Sequence, residues 1–134
     1  SYGAGVASVL AGIEYSIKKF IFMAGLYSAT KSAISSNRED FKEWKNKEPE
    51  TLKEWIKKSS PYDAELYLPF IKAESLIQIA NKDEYITAEE NELFSGKIRQ
   101  QKMVIKYESG HDLKNEKAIS DRINWIRSKI KNTK

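Results

Sequence analysis

The residue types that carry chemistry are scarce in this sequence. There is one histidine, His111, and no cysteine. Disulfides, cysteine nucleophiles and thiolate metal sites are excluded, and so is metal chemistry that needs two or more imidazoles. Any Ser-His-Asp arrangement would have to use His111, which sits in Gly110-His111-Asp112, the one His-Asp pair along the chain. A metal phosphohydrolase needs further His and Asp ligands beyond that pair. Glu89, Glu90 and Glu92 form a carboxylate cluster, but at an expected helix start the helix dipole accounts for it. No GxGxxG, P-loop or GxSxG is present. The expectation is a protein that is not an enzyme, with no catalytic residues, no metal and no cofactor.

Binding chemistry is better represented. With 23 Lys and Arg against 19 Asp and Glu, the formal charge is +4 and the pI about 9.1, which mildly favours an anionic partner. The middle of the chain is acidic and its ends are basic. Lys18, Lys19, Lys31, Arg38, Lys42 and Lys45 line one side of the N-terminal stretch and its extension, and Lys97, Arg99, Lys102 and Lys106 make a second group. Arg122, Arg127, Lys129, Lys131 and Lys134 make a basic end. Phosphate binding by such groups is electrostatic and salt-sensitive, without base readout. For the mixed run NREDFKEWKNKEPETLKEWIKK a solvated helix face rich in i,i+4 pairs is the stronger reading. Trp44 and Trp55 stand in matching KEW contexts, where an exposed indole would mark an assembly contact.

The elements that must position these groups read as helices. Proline occurs only at 49, 61 and 69, and after Gly25 the only glycines are Gly96 and Gly110. From Ala4 to Ser36, Val6, Val9, Leu10, Ile13, Ile17, Phe20, Ile21, Leu26 and Tyr27 recur at spacings of three and four, which predicts one helix or two joined near Ala24-Gly25. Asn37 can cap a following helix REDFKEWKNK, and Pro49 starts PETLKEWIKKS. SPYDAELYLPFIKAESLIQIANK reads as a helix kinked at Pro69, with Leu66, Phe70, Ala73, Leu76, Ile77 and Ala80 on one face. Thr87 and Glu90 stand in the capping-box arrangement ahead of a further helix. Its end, KIRQQKMVIKYE, also alternates in a strand-like way, so residues 97–108 stay open between helix and hairpin. A last helix follows Gly110. The fold expected is all-α, with a small-residue-rich helical arm over 1–36 and a roughly four-helix bundle over 37–134.

The arm carries a ladder of small residues at four-residue steps: Ala4, Ser8, Gly12 and Ser16, then Ala24, Ser28, Ser32 and Ser36, with Gly25, Ala29 and Ala33 beside it. Such a stripe permits close approach of another helix, a neighbouring subunit or a phosphate backbone. Gly12, Ser16, Gly25, Ala29, Trp44 and Trp55 are the expected assembly contacts. The stretch lacks a basic leader and has Glu14, Lys18 and Lys19 in its middle, which argues against a signal peptide or a membrane span. A membrane-surface helix is the lesser alternative.

An all-α body behind a small-residue-rich arm, mild basicity, no cysteine and a Lys/Ile/Tyr/Glu-rich composition resemble the major coat proteins of filamentous and rod-shaped archaeal viruses. The resemblance implies arm helices that wrap double-stranded DNA in an A-like form, an outward-facing bundle, and pairing with itself or a related second subunit. It sets Lys18, Lys19, Lys31 and Arg38 against phosphate. The expected function is a structural, DNA-packaging coat subunit that forms a helical filament and resides in the virion. The alternative is a small cytoplasmic helical binding module of immunity or adaptor type, with the arm buried in its core.

Overall fold

The structure is a computed structural model that describes residues 2–36 and 38–129. Three short apolar runs form strands: β1 (Lys19–Met23), β2 (Glu74–Ala80) and β3 (Lys102–Tyr107). They make one sheet in the order β1-β2-β3 with both pairings parallel, Ile21 opposite Leu76 and Ile77 opposite Val104. Around it lie α1 (Tyr2–Ile13), α2 (Ala29–Ser35), α3 (Glu39–Lys47), α4 (Pro49–Ser59), α5 (Ala64–Tyr67), α6 (Ala88–Lys97) and α7 (Glu116–Arg127). Helices α2 to α5 make the crossover from β1 to β2, and α6 the one from β2 to β3, as parallel pairing requires.

This overturns the all-α expectation: the protein is mixed α/β. The residues read as the middle of an arm helix, as the second half of a kinked helix and as the open segment 97–108 are the three strands. A strand buried on both faces reads as a continuous apolar run, and a short run of that kind also satisfies helical spacing. β2 is such a strand, with every residue from Ser75 to Ala80 buried. Segment 97–108 is neither helix nor hairpin, because β3 pairs in parallel with β2.

The pleat divides the core in two. Ile77 and Ile79 of β2 and Phe22 of β1 join Ala4 and Ala11 of α1, Ala64 of α5 and Phe94 of α6 on one face. Ala80, Tyr107, Leu113 and Ala118 of α7 pack on the other. Two glycines expected as assembly contacts lie inside this packing. A Cβ on Gly12 would stand 2.9 Å from the Tyr67 carbonyl oxygen, and one on Gly25 would stand 2.6 Å from the Phe94 ring. Close approach within the chain therefore requires both. Ser8 of the small-residue ladder is fully buried and bonds back to the Ala4 carbonyl at 2.7 Å.

Helices α3 and α4 form a hairpin in which Trp44 and Trp55, also expected as assembly contacts, meet each other at 5.4 Å between ring centroids. Leu52 is the only buried residue of α4, and α3 has none. A buried carboxylate secures the crossover: Asp63 accepts from the Ala29 amide at 2.8 Å, the Thr30 amide at 3.2 Å, the Ser28 hydroxyl at 2.8 Å and the Thr30 hydroxyl. It thereby caps the first turn of α2 from across the fold. Among the described residues no helix is long and apolar enough to cross a membrane.

Candidate active site

Parallel strands run their carboxyl ends to one edge of the sheet, where α/β folds gather their functional groups. Asp83 lies three residues beyond the end of β2 and His111 four beyond the end of β3. The two loops are joined by backbone bonds from the Asn81 amide to the Tyr107 carbonyl at 2.8 Å and from the Lys82 amide to the Ser109 carbonyl at 3.1 Å. His111 Nδ1 then stands 2.9 Å from both carboxylate oxygens of Asp83.

The carboxylate is built in rather than loosely paired. The Asp83 side chain is 1% exposed against 24% for His111, and its Oδ1 also accepts from the amides of Tyr85 at 2.9 Å and Ile86 at 3.0 Å. A buried acid held by its own turn fixes the imidazole and favours a proton on Nδ1. Nε2, across the ring, is left as the nitrogen able to take a proton. The Tyr85 ring meets the His111 ring edge to face at 5.0 Å and 79°.

The loop carrying His111 is held from below. Gly110 to Leu113 form a turn closed by the Leu113 amide on the Gly110 carbonyl at 3.1 Å. Leu113 is fully buried at φ 49°, a left-handed conformation that costs a residue with a Cβ roughly 1–2 kcal/mol. Burying the leucine side chain offsets that strain. The Leu113 carbonyl accepts from both Arg122 guanidinium nitrogens at 3.3 Å, and Arg122 also bonds Gln78 Oε1 at 2.8 Å. Gln78, fully buried at the sheet centre, donates to the Tyr107 hydroxyl at 2.8 Å and the Ala118 carbonyl at 2.9 Å. Tyr107 donates to Asp121 at 2.9 Å. Burial, and then that hydrogen bond to Asp121, pushes the Tyr107 phenol up to about 12.

The sequence reading placed His111 with Asp112, but Asp112 turns to Lys114 and the partner is Asp83, which that reading passed over. The signal was present: the apolar runs SLIQIA and KMVIKY each end in a turn that carries a titratable residue. Glu90 completes a capping box with Thr87, as expected. Among the described residues no cluster of three or more His, Asp and Glu is placed to hold a metal.

Each residue expected to contact nucleic acid has a partner within the chain. Lys18 bonds the Tyr15 carbonyl at 2.7 Å. Lys19 bonds the carbonyl of Trp125 at 3.0 Å and the Ser128 hydroxyl at 2.6 Å, with its ammonium over the Trp125 ring. Lys31 pairs with Glu65 at 2.6 Å, Arg38 with Asp40 at 2.6 Å and Lys42 with Glu39 at 3.4 Å. Lys45 bonds the carbonyls of Ile34 and Ser36 at 2.6 and 3.0 Å. Of the expected assembly contacts, the Ser16 amide bonds Glu14 at 2.8 Å and the Ala29 amide bonds Asp63. Asn37, expected as a cap, lies outside the described residues, as do Lys131 and Lys134. Along α1 an open, mostly apolar cleft of about 650 Å³ is lined by Tyr2, Val6, Leu10, Leu26, Trp55 and Tyr62, among others.

No protein-family model and no curated protein matches the sequence. Solved structures do. An acetyl xylan esterase from Paenibacillus sp. R4 superposes with a TM-score of 0.71 at 18% identity, covering 92% of this chain and 41% of its own. The acylaminoacyl peptidase of Pyrococcus horikoshii gives 0.71 at 12% identity, covering 100% of this chain and 24% of its own. An esterase from Pyrococcus furiosus gives 0.68 at 16% identity, covering 98% of this chain and 52% of its own. The chain spans less than half the length of the acetyl xylan esterases it matches. These likenesses overturn the coat-protein resemblance, and with it the reading of a non-enzymatic, DNA-packaging filament subunit; the binding-module alternative gains no support either. The chain shares its mixed α/β fold with part of each of these proteins.

Proposed function

We propose that this chain supplies the acid and base of a serine acyl hydrolase, acting on an ester or amide. The observation that carries the reading is the Asp83–His111 hydrogen bond at the carboxyl ends of adjacent parallel strands. Ser1 completes the assignment in sequence. It precedes Tyr2, the first residue of α1, and Ser1-Tyr2-Gly3 matches the Ser-x-Gly half of a nucleophile elbow, a strand-to-helix turn. Ser1 itself lies outside the described residues. The order Ser1, Asp83, His111 is the triad order of α/β-hydrolases.

In this mechanism the Ser1 oxygen attacks the substrate carbonyl while His111 Nε2 takes the hydroxyl proton. Asp83 stabilises the imidazolium that forms. The imidazolium returns the proton to the departing alcohol or amine, which leaves an acyl-serine. Water, deprotonated by the same nitrogen, then releases the acid and restores Ser1. In this reading the Tyr2 amide, at a helix start where N–H groups have no intrahelical acceptor, receives the carbonyl oxygen's developing charge. The apolar cleft beside Tyr2 suits the apolar portion of the substrate.

The test is covalent labelling of the natural polypeptide that carries these residues. A fluorophosphonate should phosphonylate Ser1 with loss of fluoride, identified by peptide mapping. Ser1→Ala should abolish the adduct, and His111→Ala should slow it by about 10²-fold or more, the lower range for general base catalysis. An adduct on another residue, or none in the wild type, refutes the assignment.

A further inference from the structure

Three segments distant in sequence meet around the Tyr85 ring. Asp83 and Tyr85 come from the β2 loop, His111 from the β3 loop, and the third is Arg38, the residue before α3 in the helical crossover from β1 to β2. The Arg38 guanidinium lies 4.8 Å from the Tyr85 ring centroid and 5.0 Å from that of Phe41. Tyr85 is also the edge-to-face partner of His111. Arg38 is itself oriented by a two-point bond to Asp40, Nε to Oδ1 at 3.1 Å and a terminal nitrogen to Oδ2 at 2.6 Å. That guanidinium holds the Asp40 carboxyl below its ordinary range.

We propose that Arg38 is a positioning residue for His111, acting through Tyr85, so that the placement of the α3–α4 hairpin sets the orientation of the imidazole. The proposal rests on the hydrolase reading above. Two features favour it over direct recognition of an anionic substrate. Arg38 Nε and one terminal nitrogen are already engaged by Asp40, and its guanidinium carbon lies over the Tyr85 ring at cation–π distance. Tyr85 is 44% exposed, so the apolar core does not fix its ring and a specific neighbour must. Below it, the backbone amide of Tyr85 bonds Asp83. The same residue thus anchors the acid through its main chain and braces the base through its ring. α3 itself has no buried residue, and Arg38 at its start carries the contact to Tyr85.

His111 is the only histidine of this sequence, and its ring ¹H and ¹⁵N resonances are identified by their loss in His111→Gln. Tyr85→Leu should move the His111 ring C–H resonances by removing the aromatic ring current. Arg38→Met, which keeps the aliphatic stem and removes the planar cation, should move them in the same direction by a smaller amount. In the labelling assay it should lower the rate by about 10-fold, within the ~10²-fold that a 1 Å misplacement can cost. The proposal is overturned if Arg38→Met leaves the His111 resonances on those of the wild type, or if it shifts them with no change in labelling rate. In either case labelling of Ser1 in the wild type would still stand, and the hydrolase reading with it. Absence of wild-type labelling overturns that reading, and with it the catalytic meaning of the contact.

Discussion

Asp83→Asn is the sharpest perturbation of the site, because it preserves shape and changes only what the side chain can accept. Oδ1 of Asp83 receives the amides of Tyr85 and Ile86 at 2.9 and 3.0 Å, and both oxygens stand 2.9 Å from His111 Nδ1. An asparagine has one carbonyl oxygen for these partners. Were its NH₂ to face the two amides, both would lose their acceptor, at about 1 kcal/mol for each hydrogen bond lost. The carbonyl therefore keeps the turn and the NH₂ faces Nδ1. Nδ1 must then accept, and the ring proton moves to Nε2, the nitrogen needed as the base. In serine proteases the equivalent change lowers turnover about 10⁴-fold, which at 1.36 kcal/mol per tenfold is about 5 kcal/mol of transition-state stabilisation. Folding stability should change far less, by about 1 kcal/mol, because the turn keeps its acceptor. The rate of Ser1 labelling measures the first quantity and urea unfolding the second. A rate loss under tenfold would refute the reasoning, as would an ¹⁵N signature that still places the proton on Nδ1.

Two further expectations concern the scaffold. Gly25→Ala places a methyl 2.6 Å from the ring of Phe94, which is 1% exposed and packed edge to face on Phe22. It should cost about 1–3 kcal/mol of overpacking in urea unfolding, whereas Gly5→Ala meets nothing within 4 Å and should gain up to about 1 kcal/mol in helix propensity. Tyr107 gives the alkaline limit. Its folded-state value of about 12 lies above the ordinary value of 10.0, so the folded state favours the neutral phenol. The stability this contributes is complete below pH 10 and lost as pH rises from 10 to 12. Denaturation followed across that range should show a larger loss in the wild type than in Tyr107→Phe, since Tyr27 and Lys31, whose values are also raised, contribute in both.

Short-range chemistry was legible in the sequence. Pro49 starts α4 at a first-turn position, and the helix runs over the expected PETLKEWIKKS. Thr87 and Glu90 form both bonds of their capping box, and α3 carries Glu39 and Asp40 in its first turn. Each of these is decided within about four residues, where capping and dipole energies act. The strands were not decided there. KFIFM, SLIQIA and KMVIKY satisfy helical spacing as readily as extended chain, and what makes them strands is pairing between Phe22 and Ile77 and between Ile77 and Val104. Those partners are tens of residues apart, and only the closed crossovers unite them.

The candidate site follows the same division. That His111 is the sole imidazole and that cysteine chemistry is absent were fixed by composition. Which carboxylate the imidazole would meet was not, since Asp112 is its neighbour in sequence and Asp83 its neighbour in space. The separation of 28 positions between His111 and Asp83 is spanned by the pairing of β2 with β3, and α6 folds back between them to make that pairing parallel. Sequence settled which groups exist and how each helix begins; the sheet alone settled which of those groups touch, because hydrogen bonds between strands carry no trace in the local pattern that precedes them.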